Sequence, residues 1–584
     1  MFDKAFRFLS QQMAHLEKAI QFRQNVKRTI SLVKDGKLAV YSIDHGSRQA
    51  VILQYKVLMD IIRNNADTQF GREHGFSQIH SVEDYRRQVP LTDYDTFEPY
   101  IRRMMAGEKN LLTARDPQHF AITSGSVGTP KYIPVSAQEL KKYTTYSVAM
   151  AFGVADEYYR NTTGKSVPAG LGLNAVEMRV MQTDAGIGKG SISGTVLSSM
   201  KDYVPDLLSS PWEIVAPDGE MDIKYLKTRL ALGVRNLAFM DSVFLSGLVD
   251  LMDYIRDNYR MLCKDIYYGR IDPDVNVPQS VRTVLESQLR PDKERARELM
   301  REFSQGFDEP IIPRIWPRMS WIGGIGTGSF TPYVRKMRRY SGKTIPFNNL
   351  CYAASESFMA VARHMSDTSF VLIPDGGFYE FIPVHGKNQN KTLTIEELEI
   401  GADYEIVVTN LSGFYRYRLK DVVRVTGFYN EAPMIRFNYR KDQLISIAGE
   451  KTNEEALRWA ITQFSLEASV HVNDYSIYAN DSTSPGHYVI LVEPDQIVPK
   501  ESLTHFREIM ENKLMQANPA YGDMRRAGSL GPVELVFLQQ QTYQLYRDLM
   551  IMKGFSANQL KPPRIIDNPI KERFFFGLKE TYDE

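Results

Sequence analysis

The chain has 584 residues, 43% of them hydrophobic, and its 71 Lys and Arg nearly balance 70 Asp and Glu, leaving a formal charge of +1. That length exceeds what one hydrophobic core supports, so roughly two to four domains and room for a deep pocket are expected, while the even balance argues against nucleic acid as a partner and makes Arg335-Lys336-Met337-Arg338-Arg339 a solvated helix face. Two cysteines, Cys263 and Cys351, exclude a disulfide framework, and with no run of about 18 apolar residues and no signal-peptide pattern near the start, a soluble cytoplasmic protein without a membrane partner is expected.

In chain order, "FDKAFRFLSQQMAHLEKAIQFRQNVKRTISLV" spaces its apolar residues as an amphipathic helix or two packing onto the body. Helical patterns over 48–64 and 138–153 then alternate with short apolar runs such as "SFVLIP" (369–374) and "YEIVVT" (404–409), which predicts an α/β or α+β protein. From 404 to 447 the runs "YEIVVTN", "FYRYRL", "DVVRVTGFYN", "MIRFNY" and "QLISIAG" read as successive strands of an antiparallel sheet, broken at Ser412-Gly413, Gly427 and Ala432-Pro433. A helix follows, with Thr452 and Glu455 spaced as a capping box and Leu457, Ala460, Ile461 and Phe464 on one apolar face. Strands around "DYSIYAN" and "GHYVILVEP" and a helix near 501–516 complete a second unit, so a large domain over 1–440 and a small one over 441–584 are expected.

Chemistry concentrates in "AITSGSVGTPKYIPVS" (121–136). Gly125 and Gly128 allow successive backbone N–H groups to converge on one anion; Thr123, Ser124 and Ser126 add hydroxyls and Lys131 a mobile charge, a set suited to a polyphosphate. It is not a Walker A loop, because the lysine comes three residues after Gly128 and Tyr132 follows it. "GGIGTGSF" (323–330) likewise fails the dinucleotide spacing. A Gly/Ser-rich stretch alone is more often a plain turn.

The nine residues "TSGSVGTPK" resemble the phosphate loop of the adenylate-forming superfamily of acyl-CoA synthetases, luciferases and peptide synthetase adenylation domains, departing only at Val127, where threonine is usual. "YAASE" (352–356) resembles the superfamily box in which a hydroxyl meets the α-phosphate and a glutamate holds magnesium, here Ser355 and Glu356. "YRYRLKDVV" (415–423) resembles the box whose aspartate, here Asp421, grips the ribose hydroxyls; Lys420 stands where the family has glycine. "YRKDQLISIAGEKTNEEAL" resembles the hinge segment, with Arg440 on ribose or phosphate and Lys441-Asp442 at the pivot, and "NQLKPPR" (558–564) a segment presenting a C-terminal lysine, Lys561.

The likeness is greatest to the auxin-responsive acyl acid amido synthetases, the jasmonate- and indole-3-acetate-amido synthetases and their bacterial relatives, over nearly the whole chain from about residue 50. It implies an α/β (α+β) fold, a large adenylating domain with mixed sheets and a barrel-like region, and a small mobile C-terminal domain. It also implies catalytic roles for Lys131, Ser355, Glu356 and Lys561; nucleotide contacts from Thr123, Ser124, Gly125, Ser126, Gly128, Thr327, Gly328, Tyr352, Ala353, Ala354, Asp421 and Arg440; and ATP and Mg²⁺ as cofactors, the metal on Glu356. The reaction implied is adenylation of a carboxylic acid with release of pyrophosphate, then acyl transfer to an amine, an amino acid above all. A thioester-forming acyl-CoA ligase and a non-catalytic nucleotide-binding regulator are the rival readings. The acyl pocket is expected along 178–194, with 240–252 adding wall; the acid, the amine and the oligomeric state, a monomer included, are left open.

Overall fold

The computed structural model describes every residue except 1, 124–130, 179–180, 385–390, 442–444, 449, 451, 556, 558–559 and 582–584, and the side chains of 2–18, 329 and 332 are likewise not described. One long helix, Phe2–Gly46, takes the place of the one or two expected at the start. It lies along the helix Met150–Thr163, and the crossing is tight: a Cβ on Gly36 would stand 2.1 Å from the Ala149 carbonyl oxygen and 2.5 Å from the Gly153 nitrogen. Side chains at either glycine would force the two backbones apart. Between Ala137–Tyr143 and Met150–Thr163 the backbone makes a π-helical turn, Thr144–Ala149, inside the single helix expected over 138–153.

Among the described residues, four sheets organise the rest. A hairpin of His119–Thr123 and Lys131–Val135 is widened by Gly188–Gly190 and Met181–Gln182. Strands Gly172–Asn174, Phe239–Phe244, Trp321–Ile325 and Phe347–Asn348 run parallel, as connections through helices such as Ile223–Gly233 and Leu245–Tyr268 require. A seven-stranded antiparallel sheet spans Cys351–Arg440. In it the predicted runs "FYRYRL" and "DVVRVTGFYN" merge into one strand, Tyr417–Tyr429, paired on either side with Asp403–Thr409 and Ala432–Arg440. A hub stabilises this sheet: the buried Glu380 accepts from Arg86 Nε at 3.0 Å, Arg416 Nε at 2.9 Å and Thr392 Oγ1 at 2.6 Å.

The fourth sheet, ordered Glu534–Phe537, His487–Pro494, Val472–Asn480, Ile565–Ile566, packs with the helices Glu454–Glu467 and Leu503–Ala517 around a core of its own. The cap of the first of these helices differs from expectation. Asn453, not Thr452, accepts the backbone N–H of Ala456 at 2.8 Å, and Thr452 instead pairs with Ile445 as a backbone bridge. That bridge is the strand pairing the described part of "QLISIAG" makes.

Candidate active site

A cavity of about 1480 Å³ opens where the first three sheets meet and the C-terminal unit covers them. Its walls bring together every described residue that the sequence nominated for catalysis or for the nucleotide. Ser124, Gly125, Ser126 and Gly128 lie outside the described residues, but Thr123 and Lys131, the ends of their loop, are paired directly across the hairpin and both face the cavity. Lys131 Nζ stands 5.0 Å from the centre of the Tyr94 ring, a cation–π contact. Tyr94 is fixed in turn, its hydroxyl accepting from the Tyr132 N–H at 2.9 Å.

Ser355 and Glu356 form the tight turn between strands Cys351–Ala354 and Ser357–Val361, with Ala354 opposite Ser357. The turn is held by side chains from outside the hairpin: Asn410 donates to the Glu356 carbonyl and Tyr143 to that of Ala354. The Glu356 carboxylate, 6% exposed, accepts from the Tyr417 hydroxyl at 3.2 Å through one oxygen. Burial, with the Glu356 charge beside it, pushes the Tyr417 phenol up, so it remains a donor. Among the described residues no three His, Cys, Asp or Glu side chains converge on a common point. A single carboxylate still suits Mg²⁺, which takes few protein ligands and fills its shell with water and phosphate oxygens.

Asp421 and Arg440 are directly opposed across two neighbouring strands. Arg440 Nε lies 3.5 Å from Asp421 Oδ1, and the Tyr352 hydroxyl donates to Oδ2 at 2.9 Å. Burial pushes the Tyr352 phenol well above its usual value, and the Asp421 charge adds to this. Lys420, just before Asp421, has φ 62, the left-handed conformation that glycine takes freely. The substitution therefore leaves the local backbone in a glycine-like conformation. Thr327, Gly328, Ala353 and Ala354 complete this side. Gly328 is also left-handed, φ 58, and a Cβ there would meet the Phe437 ring at 3.2 Å, whose centre is 6.2 Å from that of Tyr352.

From the C-terminal unit, Lys561 enters the cavity with Nζ 6.0 Å from the Phe244 ring centre. Polar contacts hold that unit in place: Tyr333 donates to Asp474 Oδ2 at 2.7 Å, Arg339 meets Asp495 at 3.0 Å, Lys224 meets Asp548 at 3.2 Å and Arg547 meets Asp250. At the junction, Lys441 Nζ lies 2.7 Å from Glu405, whose buried carboxylate also takes two bonds from Arg418. Burial alone would raise the Glu405 carboxyl; the hydrogen bonds from Arg418 and Lys441 outweigh it and hold the group below its usual range.

The far wall of the cavity differs from expectation. Of 178–194, Ile192 and Ser193 reach it, while Met181 is exposed; of 240–252, Asp241–Phe244 do. The larger part comes from Ser147–Phe152, from Val196–Leu208 and from Phe239 and Trp321. Phe239 and Trp321 stack at 5.1 Å between ring centres, and Phe152 meets Trp321 edge-on at 5.6 Å. Their sequence signal is apolar spacing alone, which marks a buried face without telling core from cavity. Cys351 lines the same space, but burial pushes its thiol up to about 12, leaving it protonated and inert.

Known proteins match this chain along its length. The models of the GH3 family N-terminal, central and C-terminal domains match residues 39–347, 370–440 and 455–570. The probable indole-3-acetic acid-amido synthetase GH3.1 of Arabidopsis thaliana is 30% identical, over 92% of this chain and 93% of its own. The 4-substituted benzoates-glutamate ligase GH3.12 of the same plant is 29% identical, over 88% and 92%. The structure of the GH3.15 acyl acid amido synthetase in complex with 2,4-DB superposes with a TM-score of 0.82 at 26% identity, covering 94% of this chain and 97% of that one. With all three domain models matched in order, the chain belongs to the GH3 family.

Proposed function

We propose that the protein is an ATP-dependent acyl acid amido synthetase, converting a carboxylic acid into its acyl-adenylate and then into an amide of an amino acid. The observation that carries the reading is the single cavity in which Lys131, Ser355, Glu356 and Asp421 of the large unit meet Lys561 of the small one. Those five residues suit two ends of one nucleotide: Asp421, an acceptor-only carboxylate beside Arg440, for the ribose hydroxyls, and the lysines and Ser355 for the phosphates.

A carboxylate cannot acylate an amine directly, because oxide would have to leave. In the first step a carboxylate oxygen bonds to the α-phosphorus of ATP, and the bond to pyrophosphate breaks. The negative charge that grows there is met by the ammonium groups of Lys131 and Lys561, both of which line the cavity. Mg²⁺ held by Glu356 would supply charge neutralisation on the phosphate oxygens. In the second step the amine nitrogen bonds to the acyl carbon, AMP leaves with the bonding electrons and the amine gives up a proton. We place the unit boundary at 440/441, with Lys441 and Asp442 as the pivot that lets the small unit withdraw Lys561 and admit the amine. Two of the contacts between units, Lys224–Asp548 and Arg339–Asp495, are ion pairs partly in water, weak and readily exchanged, which supports this; the more buried Tyr333–Asp474 and Arg547–Asp250 contacts would have to break in the movement. Two unpaired, buried thiols support a reducing, cytoplasmic setting.

The test is to supply ATP, Mg²⁺, a panel of aryl and aliphatic acids and the twenty amino acids, and to read products by mass. An acyl-amino acid formed with AMP and pyrophosphate, and lost in Glu356→Ala, is expected. AMP release that requires coenzyme A would reassign the protein as a thioester ligase, and nucleotide binding without turnover on any pair would favour a regulator.

A further inference from the structure

The parallel sheet presents two unlike rows of side chains to the cavity. In one row Gly172, Phe239 and Trp321 are paired across three strands, and with Phe152 they make an aromatic floor. In the next, two residues along each strand and so on the same face, stand Asn174, Asp241 and Gly323. Gly323 adds no side chain, and a Cβ there would touch the edge of the Trp321 ring at 2.7 Å. The aromatic floor therefore runs up to the Asp241 carboxylate.

That carboxylate is half satisfied. Asp241 Oδ2 accepts from Asn174 Nδ2 at 2.6 Å, whereas Oδ1 is buried and has no hydrogen-bond partner among the described residues. An unmet buried carboxylate oxygen is costly, and because Asp241 lines the cavity, a small turn of its side chain offers that oxygen to a donor arriving there. Lys227 does not bond it: its ammonium donates to the Val176 carbonyl at 2.7 Å and acts on Asp241 through its charge. Burial pushes the Asp241 carboxyl up to about 7, with the Asn174 bond and the Lys227 charge opposing, so near neutrality an arriving donor can draw it fully into the ionised form.

We propose that Asp241 is a specificity-determining residue for the acyl acid, receiving a hydroxyl or amine carried by an acid whose apolar body lies on Phe152, Phe239 and Trp321. This rests on the adenylation reading given above, and it narrows the substrate to acids with a hydrogen-bond donor besides the carboxyl group. The acid rather than the attacking amine is the occupant because Asp241 shares its sheet face with the aromatic floor.

Acid-dependent exchange of labelled pyrophosphate into ATP tests it, since the exchange reports adenylation without any amine. The acids are phenylpropanoate, its α-hydroxy and α-amino forms, and its para-hydroxy and para-amino forms. At least one donor-bearing form should exceed the parent in kcat/KM by about tenfold or more, because a site built to bond a donor discriminates strongly against its absence. Which forms respond separates hydroxyl from amine. Asp241→Leu should bring that ratio to about one or below, and Asp241→Asn, which keeps the shape, should lower it too; a ratio within one enzyme does not depend on how much of it is folded. Ratios within threefold of one for every pair in the wild type, or a preference that survives both variants, overturn the proposal while leaving adenylation standing. So does a variant effect confined to the KM of the amine. No exchange with any acid overturns the adenylation reading and the proposal with it.

Discussion

Lys420 precedes Asp421, the carboxylate proposed for the ribose hydroxyls, and takes a left-handed conformation, φ 62. An L-residue there carries about 1–2 kcal/mol of steric cost. Glycine would remove that cost but would give back about 0.5–1 kcal/mol through the freedom it adds to the unfolded chain. Lys420→Gly should therefore be neutral to about 1.5 kcal/mol more stable, a rise in melting temperature of at most about 3 °C on the usual scaling for large chains. Its kcat/KM for ATP should stay within about threefold of wild type. Lys420→Val is the opposite case, since a β-branched residue resists this conformation; about 1–3 kcal/mol of strain is expected, relieved by moving the neighbouring Asp421. Losing a charge-assisted bond worth about 1.5–3 kcal/mol should raise the KM for ATP roughly 10- to 100-fold. Lys420→Ala, left-handed without the ammonium, separates the side chain's contribution from the backbone's. The assay is pyrophosphate exchange at varied ATP, with thermal melts alongside. A silent wild type awakened by Lys420→Gly, or a fully active Lys420→Val, would refute the idea that Lys420 preserves the glycine-like backbone for Asp421.

Lys561→Ala should lower acid adenylation about 10²- to 10³-fold, as removal of one charge-stabilising group does, yet leave amide formation from supplied acyl-adenylate nearly intact; equal loss in both steps would exclude a role tied to the phosphates. Tyr352→Phe removes one bond to Asp421 and should raise the KM for ATP about three- to tenfold, less than Asp421→Asn does, as read by exchange kinetics. Glu380→Ala strands Arg416, itself buried, and should cost about 3–5 kcal/mol in denaturant unfolding, with loss of activity following unfolding rather than preceding it. The Asp241 carboxyl sits at about 7 in the folded protein against an ordinary 3.8, so between those values the native state holds the extra proton. Stability should then be greatest below about pH 4 from this group and fall as pH rises to about 7, a slope absent from Asp241→Asn in paired melts.

Residues whose chemistry is carried by type and spacing are legible in the sequence itself. Ser355-Glu356, Asp421 and Lys131 sit in short motifs that name them, and the described ones all face one cavity. What spacing does not convey is which side chains meet across the sheet. Nothing in the sequence tells that Arg440 opposes Asp421 or that Asn174 opposes Asp241, because strand register is set by tertiary packing. The helix cap lies one residue on from its expected place because Thr452 is drawn into a bridge with Ile445, leaving Asn453 to serve. The aromatic floor is hidden for a different reason: Phe152, Phe239 and Trp321 are as apolar as any core residue, and only the space beside them makes them cavity wall.

The π-helical turn Thr144–Ala149 holds one residue more than an α-helical turn of the same rise, and Ser147 and Val148 within it and Ala151 and Phe152 beyond it form cavity wall. Deleting a single residue there would let the segment relax to a continuous α-helix that runs on from Tyr143 in nearly its present direction, because the wide turn already absorbs the extra residue. Ala151 and Phe152 would keep their places, as would Thr123, Glu356 and Asp421 on separate strands and turns, and the change would fall on the wall made by Ser147 and Val148. The wide turn thus confines a change of one codon to one short stretch of the cavity wall, without disturbing the aromatic floor or the nucleotide side.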